Sequence, residues 1–514
     1  MTLGELLGKQ SPTAPAILAP GHAAMNFRDI LSLAEAADRD LAAAGIGRGA
    51  RIATVLRNGP EAACSFLALG CRGPVAPLNP RLTKAEICYV LGDIAPALLI
   101  TDAEPGSPAW NAAQELGITV AQLAGDNTQS AGWFRIRGLP TGTTPAKDVP
   151  VEPGDELLLL HTSGSTAKPK LVPITQRAFC LSARSVASCL GLSARDVSLN
   201  VMPLFHVHGL VASLTAPLSA GGAVWCSPGF SALHFQRWLQ ESGATWYSAV
   251  PSIHQSVLER ARSGDGVFAA HNLRLIRSCS APLMEATWRE LETVFRVPVV
   301  QAYGMTEAAH QVSSTSPGSP FGPSGGVGRS INLEIRILNP NGAVMPRGGE
   351  GEVALAGPTI LREYLSPPGA TLTAFRDGFF LTGDIGRIDG NGNLHLVGRL
   401  KEMINCGGEK ISPYEIEEAL LAQPGVRQAL AFSMPHPRLG EEPAAVIVCA
   451  PGGEVNIASI REALADRLSG RKVPRRYWVL DSIPLGPTGK PHRARMADLL
   501  ATTGIAPVLA GRHG

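Results

Sequence analysis

Residues Leu157–Pro173 read LLLLHTSGSTAKPKLVP. The run of leucines predicts a buried strand, and the chain leaves it through hydroxyls, a glycine, prolines and lysines. Thr162, Ser163, Ser165 and Thr166 supply hydroxyl donors, Gly164 admits positive φ, and Lys168 and Lys170 supply charge. Such a set suits a loop that wraps phosphate oxygens. The Walker-type phosphate loop needs a glycine, four intervening residues and then Gly-Lys-[Ser/Thr], but the fifth residue after Gly164 is Pro169, so that motif is absent. A plain polar surface loop has a similar composition. Taken alone, the stretch leaves both readings open.

Other clusters carry groups of the same kind. Gln301–His310 reads QAYGMTEAAH, Phe380–Asp389 reads FLTGDIGRID, Gly398–Ser412 reads GRLKEMINCGGEKIS, and Pro484–Pro491 reads PLGPTGKP. Each by itself has a dull explanation, as a tight glycine turn, a capped strand end, a solvated basic loop or a polar hairpin.

The elements that must position these residues follow from patterning. In the first ~150 residues, helical and strand signals alternate. Asn26 opens a helical stretch closed by Gly45, Arg51–Leu56 reads as a strand, Pro60–Gly70 as a helix and Ala97–Thr101 as a strand. Ala244–Val250 and Leu273–Arg277 continue the pattern, each followed by a helical segment. Such alternation predicts βα units and parallel-rich sheets with helices on both faces. From about Gly325 the texture changes to short strands with Asn-Gly, Gly-Gly and Asp-Gly turns, predicting a small antiparallel β subdomain over about 325–399. After Arg399 the chain resets, with a helix at Pro413–Gln423, strands near Gln428–Ser433 and Ala445–Val448, a helix at Ile457–Leu468 and a strand at Tyr477–Leu480. The expected fold class is therefore α/β, with a large domain over 1–399 and a small α+β domain over 400–514. Without a long linker at Leu400–Lys401, the small domain should turn about a short hinge.

Composition narrows the function. A chain of 514 residues exceeds what one core usually holds, so at least two domains are expected. Lys and Arg total 45 against 43 acidic residues, a balance with no electrostatic footprint for nucleic acid or an anionic membrane. Small molecules are the expected partners. The 9 cysteines form no Cys-x-x-Cys pair and read as reduced buried thiols rather than zinc ligands or a disulfide framework. The N-terminus MTLGELLGKQSPTAP lacks the pattern of a secretion signal, so a cytoplasmic location is expected. Val207–Cys226 comes nearest to a membrane span, but its Gly, Ala and Ser content predicts a helix packed inside the protein, without membrane insertion.

In their order and spacing, the phosphate-loop candidate and the later clusters resemble the signature set of the adenylate-forming superfamily of acyl-CoA synthetases, luciferases and peptide-synthetase adenylation domains. The wording of several segments resembles the oxalate–CoA ligases most. The resemblance spans nearly the whole chain and implies ATP, Mg²⁺ and CoA as reactants and cofactor. It implies that Thr162, Ser163, Gly164, Ser165, Thr166 and Lys170 cradle the ATP phosphates, and that Ser280, Ala281, Pro282, Gln301, Ala302, Tyr303, Gly304 and Met305 bind the nucleotide, with Tyr303 against adenine. Thr306 would hydrogen-bond the α-phosphate, Glu307 would hold Mg²⁺, and Asp384 with Arg399 would take the ribose hydroxyls. Lys490 would bridge the attacking carboxylate and the α-phosphate. Lys401 would be the pivot of the mobile small domain, and Gly407, Gly408, Glu409 and Lys410 would form a narrow entry for pantetheine. Cys406 has nothing basic fixed beside it in sequence, which argues against a nucleophile. The chain departs from the family at Ala167 and Leu171, where glycine is common, so a stiffer phosphate loop is expected.

The implied reaction has two halves: a carboxylate attacks the α-phosphorus of ATP to give an acyl-adenylate and pyrophosphate, and a thiol then displaces AMP. The thiol belongs to CoA or, alternatively, to the pantetheine of a carrier protein. The stretches matching the acid pocket read FHVHGL, ATWYSAVPSIHQ, IRSCSAP and TEAAH, and would gather His206, His208, His254, Arg277, Ser280 and His310. His206 matches a histidine common throughout the family and points to a gate near the adenylate. Each of the others has a bland alternative as a neutral packed histidine or a solvated arginine. Burying several such groups around an alkyl tail would cost desolvation, whereas a second carboxylate would accept their hydrogen bonds. The expected acid is oxalate, or else another small polar or dicarboxylic acid.

Overall fold

The structure is a computed structural model that describes residues 1–126, 128–147, 149–162, 169–262, 271–319, 326–450, 452–484 and 493–509. Two parallel-rich sheets carry the first part of the chain. One runs in the order Phe134–Arg137, Thr119–Gly125, Leu98–Thr101, Ile52–Val55, Val75–Leu78, Glu156–His161, Leu171–Thr175, with parallel pairing inside and an antiparallel strand at each edge. The leucine run forms the buried strand Glu156–His161, and Leu171–Thr175 returns antiparallel beside it. These two strands hold the ends of the phosphate-loop candidate, closed by Thr162 N donating to Lys170 O at 2.9 Å.

The second sheet runs His310–Ser314, Val299–Met305, Leu275–Ser278, Trp246–Ala249, Val197–Asn200, Ala223–Cys226, Pro15–Leu18, Met25–Asn26. Its strands Val197–Asn200, Trp246–Ala249, Leu275–Ser278 and Val299–Met305 are parallel, and His310–Ser314 turns back antiparallel. Helices cover these sheets where periodicity predicts them. Phe27–Ala43 starts from a capping box between Asn26 and Asp29 and buries Phe27, Ile30, Leu33, Ala34, Ala37 and Leu41 at helical spacing. Pro60–Gly70 is apolar on nearly every side because it is enclosed by core.

Val207–Cys226 corrects the expectation of a single helix. It begins as a π-helix at His208–Thr215, continues as a helical turn at Ala216–Ser219 and becomes the buried strand Ala223–Cys226. The break comes at a glycine pair: Gly221 has φ +79°, and a Cβ on Gly222 would meet the Asp196 carbonyl oxygen at 2.6 Å. Among the described residues, no helix is long and apolar enough to cross a membrane.

Residues 334–399 form an antiparallel sheet from Glu334–Leu338, Gly351–Ala356, Phe375–Arg376, Phe379–Ile388 and Leu394–Arg399. A further sheet is built from Ile404–Cys406, Glu409–Ile411, Val426–His436, Gly440–Cys449, Arg476–Val479 and Val508–Leu509, with the helices Pro413–Leu421 and Ile457–Arg467 packed into its core. Arg493 locks this last unit. It pairs with the buried Glu417, donates to Glu402 Oε2 at 3.1 Å and to the Ala431 carbonyl, and lies over the Tyr414 ring. Glu417 also accepts from Ala431 N at 2.8 Å. Arg493→Met leaves that carboxylate buried without its cation, and is expected to cost about 3–5 kcal/mol. The expected result in thermal unfolding is a lower Tm, largely restored by the double variant Arg493→Met/Glu417→Leu.

Candidate active site

A cleft of about 1820 Å³ opens where parallel strands end, bounded by His161 and Lys170, by Val201–His208, by Ser280 and by Gly304–Glu307, and closed on another side by Arg399–Glu402. Carboxyl ends of parallel strands are the usual crevice of open α/β sheets. The backbone at its floor is unusually tight. Strand Val299–Met305 turns through Thr306–Ala308 into His310–Ser314, and a Cβ at Gly304 would come within 1.9 Å of the His310 carbonyl oxygen. Ala309 and His310 take φ +51° and +98°, and Ser280, on the facing loop, takes φ +73°. Left-handed conformations away from glycine carry strain and mark positions that their surroundings over-determine.

The floor is a hydrogen-bonded cluster. Arg277, on strand Leu275–Ser278, is 0% exposed. Its Nη1 donates to Ser248 Oγ at 3.1 Å, and its Nη2 to His310 Nε2 at 3.1 Å and Gln311 Oε1 at 3.3 Å. Among the described residues, no carboxylate pairs with it. His208 bridges Ser248 Oγ at 2.7 Å and Ser280 Oγ at 3.0 Å, and its ring stacks on that of His310 with centroids 5.2 Å apart. Burial pushes both imidazoles well below the ordinary histidine range; His310 and Arg277 add to the effect on His208, and Arg277 adds to it on His310. Both are neutral at physiological pH.

The opposite side of the cleft has its own cluster. Tyr364 donates to Glu307 Oε1 at 3.0 Å, while Lys170 Nζ sits 4.3 Å above the Tyr364 ring. Burial raises the Glu307 carboxyl, opposed by the Tyr364 hydroxyl and by the charges of Lys170 and Arg399. Tyr303 donates to Asp384, whose other oxygen accepts from Arg399 Nε at 3.0 Å.

Of the residues expected from sequence, Thr162, Lys170, His206, His208, Ser280, Gly304, Met305, Thr306, Glu307, His310, Arg399 and Lys401 line one cleft. Gln301, Ala302 and Tyr303 lie buried in the strand beneath it, Arg277 stands behind His310, and Ala281 and Pro282 follow Ser280 away from the lining. His254 does not line the cleft: its Nδ1 is 3.1 Å from the Tyr247 hydroxyl, and burial lowers its pKa to about 4. The hairpin Ile404–Cys406 to Glu409–Ile411 contributes nothing to the lining among the described residues. Gly407 and Gly408 form its turn with φ +59° and +91°. A Cβ on Gly408 would meet nothing within 4 Å, so backbone conformation alone requires glycine in this arrangement. Cys406 is buried there, with its thiol pushed up by burial. Ser163, Gly164, Ser165, Thr166 and Lys490 lie outside the described residues. Sequence reasoning missed Ser248, Gln311 and Tyr364. A polar serine within the otherwise apolar and aromatic strand Trp246–Ala249 was the one local signal available for Ser248.

Comparison with known proteins agrees with this geometry. Residues 7–365 match the AMP-binding enzyme family, and residues 415–490 match the AMP-binding enzyme C-terminal domain. The chain belongs to the AMP-binding enzyme family. It is an AMP-forming acyl-CoA synthetase, which uses ATP, Mg²⁺ and CoA. It is 38% identical to an oxalate–CoA ligase of Arabidopsis thaliana, covering 96% of this chain and 97% of that one. It is 33% identical to a sulfoacetate–CoA ligase of Cupriavidus necator, covering 95% of each. Among solved structures, ATP-bound MatB from Rhodopseudomonas palustris superposes with a TM-score of 0.84 at 26% identity, covering 98% of this chain and 99% of that one.

Tyr364→Phe removes a donor to the Glu307 carboxylate and raises that carboxyl further. A reaction that needs the ionised form is lost as pH falls through the raised pKa. The acid limb of kcat/KM is therefore expected to move to higher pH, with a loss of roughly tenfold near neutrality. A pH–rate profile of the variant against the parent protein checks this.

Proposed function

We propose that the acid is oxalate and that the chain converts oxalate, ATP and CoA to oxalyl-CoA, AMP and pyrophosphate. The observation that carries the reading is the cleft floor: stacked neutral imidazoles of His208 and His310, backed by the buried Arg277, which pairs with no carboxylate among the described residues. Burying such a charge behind an alkyl or aryl tail would leave it uncompensated, whereas a second carboxylate on the substrate compensates it. The kinship with oxalate–CoA ligases supports the same choice.

In the first half-reaction, one oxalate carboxylate attacks the α-phosphorus of ATP in line, an O–P bond forms, and the bond to pyrophosphate breaks. Thr162 and Lys170, with Ser163, Gly164, Ser165 and Thr166, hold the departing phosphates, and Thr306 holds the α-phosphate. Glu307, which lines the cleft, would hold Mg²⁺, a hard ion that prefers carboxylate and phosphate oxygens and would supply charge neutralisation there. Arg399 and Asp384 orient the ribose, and Lys490 steadies the attacking carboxylate. His206, at the cleft wall beside Phe205, gates the adenylate.

In the second half, the CoA thiol attacks the oxalyl carbonyl, a C–S bond forms, and AMP leaves. Division of the chain into a large domain over 1–399 and a small one over 400–514, turning at Lys401, allows Lys490 to withdraw. The hairpin with Gly407, Gly408, Glu409 and Lys410 then replaces it as the pantetheine entry. The 9 cysteines are free thiols, suited to a reducing compartment, and we place the reaction in the cytoplasm.

With a panel of small mono- and dicarboxylic acids and CoA, pyrophosphate release is expected to give oxalate the highest kcat/KM. Preference for a medium- or long-chain fatty acid contradicts the oxalate reading and leaves the adenylating chemistry intact. Lys490→Ala is expected to slow adenylate formation by roughly 10²-fold while sparing thioester formation from supplied oxalyl-adenylate. Equal loss of both half-reactions contradicts the exchange of Lys490 for the hairpin.

A further inference from the structure

Arg277 does not line the cleft, yet two hydrogen-bonded branches of the floor begin at it, one through His310 and one through Ser248. A guanidinium only donates. Its Nη2 lies 3.1 Å from His310 Nε2, so that nitrogen must offer a lone pair, and the neutral ring carries its proton on Nδ1. The Nδ1 edge faces Gly304, where a Cβ would approach to 3.5 Å, and both residues line the cleft.

The second branch runs through Ser248. Its Oγ accepts from Arg277 Nη1, and the one other partner within reach among the described residues is His208 Nε2 at 2.7 Å. The Ser248 hydroxyl therefore donates to His208 Nε2, and the His208 proton sits on Nδ1, 3.0 Å from Ser280 Oγ. Ser280 accepts that proton, which leaves its own O–H for the cleft that it lines. Burial keeps both imidazoles neutral, so each has one proton to place.

We propose that Arg277 is a positioning residue that sets the direction of both proton chains, so that the floor presents two donors, Ser280 O–H and His310 Nδ1–H, to the distal end of the acid. Two aimed donors backed by a buried cation select an anionic group over an ammonium or an alkyl end. The identity of that anion as the second carboxylate of oxalate rests on the proposed function. The proton directions rest on the geometry alone.

The test is ¹⁵N NMR of histidine side chains in the full-length protein, with His208 and His310 assigned by the loss of their signals in His208→Asn and His310→Asn. Both rings are expected to carry the proton on Nδ1 and a bare Nε2. A proton on Nε2 of either overturns the proposal. Ser248→Ala, a small change within a strand, cuts the branch to His208 and leaves that to His310. His208 is then expected to lose its single tautomer while His310 keeps it, and KM for oxalate to rise about tenfold, well beyond any change for acetate. An unchanged His208, or equal effects on both acids, overturns it as well. Expected tautomers without a preference for oxalate would sink the oxalate reading and leave the proton chains standing. Oxalate preference with the opposite tautomers would do the reverse.

Discussion

A guanidinium enclosed in the middle of a β-sheet, with no carboxylate beside it among the described residues, is the constraint that organises the site. Bringing a cation into such a place costs several kcal/mol unless dipoles or an opposite charge answer it. Here the answer is built from cross-strand neighbours. Ser248 stands directly opposite Arg277 in the parallel register, and His310 and Gln311 come from the antiparallel edge strand. These dipoles answer donors on Nη1 and Nη2, while the buried Nε has no partner among the described residues. The charge is not cancelled, so its field reaches the cleft. The same field helps to keep His208 and His310 neutral, which preserves them as directional hydrogen-bonding groups rather than competing cations.

That arrangement makes demands on the backbone. To bring His310 against Arg277, the chain must reverse within a few residues of Met305, which draws the His310 carbonyl onto Gly304 and pushes Ala309 and His310 into left-handed conformations. Such conformations cost of order 1–3 kcal/mol each and persist only when the surrounding packing holds them. The same reversal carries Thr306 and Glu307 to the opposite side of the cleft, where Tyr364 connects Glu307 to Lys170. One tight turn thus serves both clusters, with the Arg277 floor behind it and the Glu307–Tyr364–Lys170 group in front.

Much of this was legible because it is local. Helix Pro60–Gly70, the leucine strand and the alternation of strands with helices up to Phe295 follow from hydrophobic period and capping chemistry. The cleft residues Thr306, Glu307, His208 and His310 stand in short segments whose composition already suggests chemistry. What stayed hidden depends on contacts between distant strands. Ser248 looks like any polar residue in a strand until Arg277 is placed opposite it, and Tyr364 lies 57 positions from the carboxylate that it supports. His254 misled for the converse reason, since a histidine in a promising stretch can face inward and settle on a tyrosine such as Tyr247. Val207–Cys226 reads as one apolar helix because hydrophobicity alone does not reveal where a glycine pair ends it.

The central claim is that the charge of Arg277 is answered by an anion on the substrate, delivered through Ser280 and His310. A crystal structure with a non-hydrolysable analogue of oxalyl-adenylate tests it most directly. The account predicts the distal carboxylate at about 3 Å from both Ser280 Oγ and His310 Nδ1. A distal carboxylate turned instead toward Lys170 or Arg399, with only water against the floor, would contradict it.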